Sequence, residues 1–104
     1  MSHKIVKRPT DTRPIIINAA NNLPNIVPKP QISSVVVTAK DSVGTDITNS
    51  IIKSGSVGFE DYRIEAWITG GANGLIGTIT FLITLDDENE TELTEVFKLY
   101  VRDQ

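Results

Sequence analysis

Ile, Val and Thr make up 34 of the 104 residues. Side chains branched at Cβ lose rotamer freedom in a helix and pack well on a pleated sheet. Their layout constrains the fold further. Apolar residues recur at every second position in several segments, and nowhere hold a helical period for two turns. The chain is therefore expected to be all-β. Residues 33–39 set Val35, Val37 and Ala39 on one face. Residues 62–68 set Tyr62, Ile64, Ala66 and Ile68 against Arg63, Glu65 and Trp67. Residues 75–85 set Leu75, Ile79, Phe81, Ile83 and Leu85 inward, with Thr78, Thr80 and Thr84 on a half-solvated face. Residues 92–102 set Leu93, Phe97, Leu99 and Val101 inward and Thr94, Lys98, Tyr100 and Arg102 outward. Shorter strands are expected over residues 46–52 and 56–59.

Turn chemistry separates these segments. Gly70, Gly71, Ala72, Asn73 and Gly74 supply residues that tolerate positive φ. Asp86, Asp87, Glu88, Asn89 and Glu90 read as the polar loop of a hairpin. Short strands with turn signals every eight to twelve residues suggest a small immunoglobulin-like antiparallel β-sandwich, with a small closed barrel as the alternative.

The rest of the composition is divided unevenly. All five Pro lie in residues 1–30 and all seven Gly beyond residue 43. Residues 1–30 carry a net charge of +4, and residues 31–104 carry −7. The expected organisation is thus an extended basic Pro-containing arm (1–30) ahead of the sandwich (31–104). The arm's Ile15, Ile16 and Ile17 can add a strand to their own sheet or to a neighbour's. An ordered arm held by neighbouring subunits is favoured over a free tail, because its eight aliphatic side chains are costly to leave in water. The body is small enough that association is expected to supply part of its stability.

Several function classes are excluded or disfavoured. With no Cys there is neither a disulfide framework nor a thiolate metal site. Apolar runs of three residues are too short to span a membrane as a helix, and no secretory signal is expected. His3 is the single histidine, so no nucleophile–histidine–acid constellation can be assembled, and it reads as a surface residue. Neither enzymatic activity nor a cofactor is expected. The glycines are not a phosphate loop, since no Lys-Ser/Thr follows them. A body at −7 argues against specific nucleic-acid binding.

The acidic run Asp86, Asp87, Glu88, Glu90 and Glu92 lacks the spacing of a calcium loop. It reads as a solvated hairpin tip or as a patch for a basic partner. One such partner is the arm of an adjacent copy, through Lys4, Lys7, Arg8 and Arg13. Trp67 is either a core anchor or an interface aromatic, and Tyr100, between Lys98 and Arg102, has the same two readings.

Trp67, Ile68, Thr69, Gly70, Gly71 and Gly74 precede a Thr-rich strand, a polar turn and a last strand ending in Arg102. This order resembles the C-terminal half of small phage proteins called fiber-tail adaptors, over about 40 residues. Two departures stand out: the basic arm replaces an Asp/Tyr/Trp-containing start, and the turn is a five-residue acidic loop. The resemblance implies a non-enzymatic bacteriophage virion protein, assembled in the host bacterial cytoplasm. Its partners would be other virion proteins (major capsid, portal or tail subunits) and further copies of itself. The tail or portal-proximal adaptor role comes from the family, whereas an arm suits a capsid cement or decoration protein. The alternative from another class is a carbohydrate-binding or adhesion module.

Overall fold

The computed structural model describes residues 2–19, 31–86 and 88–102. Seven strands and one helical turn follow in order: β1 (Ser2–Lys7), β2 (Arg13–Asn18), β3 (Ile32–Asp41), α1 (Thr48–Ile51), β4 (Gly58–Glu60), β5 (Arg63–Ile68), β6 (Ile76–Leu85) and β7 (Glu92–Val101). They form two sheets packed as a small sandwich. One has the order β1-β7-β6-β3 and the other β2-β5-β4. All pairings are antiparallel except β1 with β7, which is parallel.

The period-two pattern locates the core. In β5, Ile64, Ala66 and Ile68 are buried, and in β6 so are Ile79, Phe81, Ile83 and Leu85. Phe97, Leu99 and Val101 of β7 meet them from the same sheet. Phe81 and Phe97 contact edge to face, with ring centroids 5.5 Å apart. Trp67 points away from this core: it is half-buried on the outer face of the three-stranded sheet, opposite Pro14.

Two expectations are corrected. Residues 46–52 do not form a strand. Asp46 makes one isolated bridge to Lys40 and Ile52 one to Ile68, with the α1 turn between them. The Asp46 carboxylate accepts the Thr48 N–H at 2.9 Å and the Thr48 hydroxyl at 2.6 Å. That local bonding favours a turn over a ladder. It also lets Ile51 and Ile52 reach the core from one turn.

The second correction concerns the first 30 residues. Residues 2–19 are not an arm outside the sandwich. β1 supplies one edge of the larger sheet and β2 one edge of the smaller. Ile15 and Ile17 of β2 are buried against Ala66 and Ile64. Pro9 sits in the turn joining the strands, and Pro14 lies in an edge strand, where a missing N–H is tolerated. Pro9 and Pro14 therefore mark a turn and a sheet edge. Residues 20–30, with Pro24, Pro28, Pro30 and Lys29, lie outside the described residues.

Candidate functional site

The residues singled out in the sequence fall at separate places. Lys7 is 2% exposed, and its ammonium donates to the carbonyls of Arg8 (2.8 Å) and Asp11 (3.0 Å). Burial pushes its pKa below the usual lysine value, with Asp11 opposing and Arg13 adding to the shift. Lys7 therefore closes one end of the sandwich and is withdrawn from any interface. The same holds for Ile15 and Ile17, which are core residues. The expected docking set loses these three because β1 and β2 alternate inward. Inward β1 positions pair with Phe97, Leu99 and Val101, and Lys7 is the last of them.

The exposed members remain available. Ile16 is 52% exposed on the outer face of β2, beside Glu65. Arg8 is exposed, with its backbone N–H donating to the Asp11 carboxylate at 3.2 Å. The Arg13 guanidinium lies 3.9 Å from that carboxylate, a weak surface pair. At the hairpin tip, Asp86 is tied back to the sheet: its carboxylate accepts the Gln31 N–H at 2.8 Å, and its own N–H donates to the Gln31 carbonyl. Glu88 and Glu90 are exposed, and Asp87 lies outside the described residues. Among the described residues, no group of three metal-ligating side chains comes together.

The glycine motif is a crossover turn. It carries the chain from β5 in one sheet to β6 in the other. Gly70, Gly71 and Gly74 have φ of 66°, 90° and 93°. A Cβ on Gly71 would lie 3.0 Å from Val101 Cγ2, so this turn is pressed onto the core. The Thr69 N–H donates to the Ile51 carbonyl and the Gly74 N–H to the Val101 carbonyl, which fixes both ends.

The arrangement with the clearest surface chemistry is the outer face of the larger sheet. Lys40, Thr78, Lys98 and Lys4 form one row across its four strands. Tyr100 lies beyond this row toward the C-terminus, with the Lys4 ammonium 5.1 Å and the Arg102 guanidinium 5.3 Å from its ring centroid. Both distances suit cation–π contact. The middle rows are uncharged: Thr38, Thr80 and Val96, then Val36, Leu82 and Thr94. The last row holds Ser34, Thr84 and Glu92, beside the hairpin tip with Glu88 and Glu90. The face is therefore basic at one end, apolar and hydroxylic in the middle, and acidic at the other.

Sequence reasoning found Lys4, Lys98, Tyr100 and Arg102 one at a time and left out Lys40 and Val36. Alternation within each strand carries the signal for an outward position. The row that joins Lys40 to Lys98 depends on strand order, which alternation does not encode. Compared with protein-family models, with curated proteins and with solved structures, the chain matches none.

Proposed function

We propose that this chain is a non-enzymatic structural protein of a bacteriophage particle. It bridges neighbouring subunits, as a tail or portal-proximal adaptor or as a capsid cement or decoration protein. One observation carries the reading: both outer faces of the sandwich present an exposed β-branched side chain. Ile16 on the smaller sheet and Val36 on the larger are each 52% exposed. They lie on opposite sides of a thin body. Each is part of a patch: Val36 stands opposite Leu82, and Ile16 shares its face with Pro14 and Trp67. Apolar patches on two opposed faces suit a protein held between two partners. Val6, Phe59 and Ile76 add further exposed apolar surface. The resemblance at Trp67, Gly70, Gly71 and Gly74 supports the phage setting.

The finer fold class belongs to the same proposal. Lettering β2 to β7 as strands B to G gives sheets B-E-D and C-F-G. That order supports an immunoglobulin-like sandwich, with β1 added beside G. Binding by the faces replaces binding by residues 2–18 as a free arm.

Mass spectrometry of purified phage particles whose genome encodes the chain tests the reading. The expected result is the chain at many copies per particle. Its absence from particles overturns the proposal. Immunogold label spread over the head then indicates cement, and label at one vertex an adaptor. Saccharide-specific binding on a glycan array, with no incorporation, would favour the adhesion alternative.

A further inference from the structure

We propose that the outer face of the four-stranded sheet docks a second copy of this chain, face to face about a two-fold axis. The inference deepens the bridging reading by naming one partner. It needs no particle to test, so it can fail while that reading stands.

The argument is the order of charge along the face. In β7 the outward residues run Glu92, Thr94, Val96, Lys98, Tyr100. Glu92 and Lys98 lie three residues either side of position 95, about 20 Å apart at the usual rise. A two-fold axis in the plane of the contact, crossing the strands at that level, lays each strand antiparallel to its own copy. Lys98 of each chain then faces Glu92 of the other, and Arg102 faces the acidic tip at Glu88. The uncharged rows meet in the centre, where Val36 and Leu82 face the partner's Thr38 and Thr80. Two-fold contacts require such self-complementarity, because each residue pair occurs twice. A parallel stacking of the same faces would instead set Lys98 on Lys98.

Local pairing does not use up these charges. Among the described residues, neither Glu92 nor Lys98 forms an ion pair. Lys98 and Lys4 stand directly opposite each other on neighbouring strands, with Lys40 in the same row beyond Thr78, an unfavourable like-charge pair that an acidic residue facing Lys98 relieves. The contact is small. β3, β6 and β7, about 4.8 Å apart and about 30 Å long, bury about 900 Å² over both copies, the scale of weak, transient contacts, and the six-residue β1 adds little. A rapidly reversible dimer with Kd of roughly 10–100 μM is therefore expected, with ends steered by charge.

The test is sedimentation of the full chain over a concentration series, with folding checked by circular dichroism. Wild type is expected to dimerise with Kd of roughly 10–100 μM. Glu92→Lys and Lys98→Glu should each raise Kd at least about tenfold, since each creates like-charge contacts. The double variant E92K/K98E should return Kd to within about threefold of wild type, because the swap restores both pairs. A chain monomeric to about 1 mM overturns the proposal. So does a dimer that the single reversals leave unchanged, or a double variant no better than the singles. A dimer unchanged by the single reversals places the contact elsewhere, as at the groove between β1 and β2, and an unrestored double variant rejects the Glu92–Lys98 pairing.

Discussion

β1 and β2 are each six residues long and five residues apart, yet they join the fold in different ways. β2 pairs antiparallel with β5 and buries Ile15 and Ile17 to 4% and 7% exposure. β1 pairs parallel with β7, and its inward residues are His3, Ile5 and Lys7. Of these, Ile5 is half-buried and Lys7 replaces an apolar side chain at the end of the core. The smaller sheet thus needs β2 as a layer of its core, while the larger sheet would remain three-stranded without β1. Adjacency in sequence and a shared basic character hide this difference.

Substitutions at matched inward positions should expose it. Ile17→Asp places a charge opposite Ile64, which is fully buried. It should cost several kcal/mol, enough to remove the cooperative urea transition of a domain this small. Ile17→Ala should cost about 2–4 kcal/mol, read as a lower transition midpoint at unchanged slope. Ile5→Ala in β1 should cost about 1 kcal/mol, because the side chain is half-buried. Equal losses at the two positions would erase the distinction between the strands.

Lys7→Ala tests the polar end of β1. It removes a buried aliphatic stem and both hydrogen bonds to the 8–11 turn, so about 2–3 kcal/mol should be lost. The smallest expected effect is in pH. Burial lowers the Lys7 pKa, so the unfolded chain binds this proton more tightly than the folded one. Stability should therefore rise as pH increases from the lowered value toward 10.5 and fall as pH drops back through it. Lys7→Met, which cannot titrate, should lose that slope in urea melts run across alkaline pH.

Much of the fold was legible because alternation survives in β5, β6 and β7: every inward residue read from residues 64–68 and 79–85 is buried. The helical turn at Thr48–Ile51 was not legible, since its determinant is the side-chain hydrogen bonding of Asp46 with Thr48 and not a period. Lys7 misled because a buried lysine is rare and its partners are two backbone carbonyls of the following turn. The candidate surface was half legible. Alternation gives the outward side chains of one strand, such as Lys98 and Tyr100, but the neighbours Lys4 and Lys40 come from β1 and β3, at the two edges of the sheet.

The central claim is that residues 2–18 are strands of the sandwich, so contacts come from its faces and not from the reach of an arm. Native-state hydrogen exchange on the intact chain tests this most directly. The account predicts that the ladder amides of Arg13–Asn18 are protected to within about tenfold of those in Arg63–Ile68, since both belong to one cooperative unit. Exchange of all Arg13–Asn18 amides at unprotected rates, with Arg63–Ile68 still protected, would contradict it.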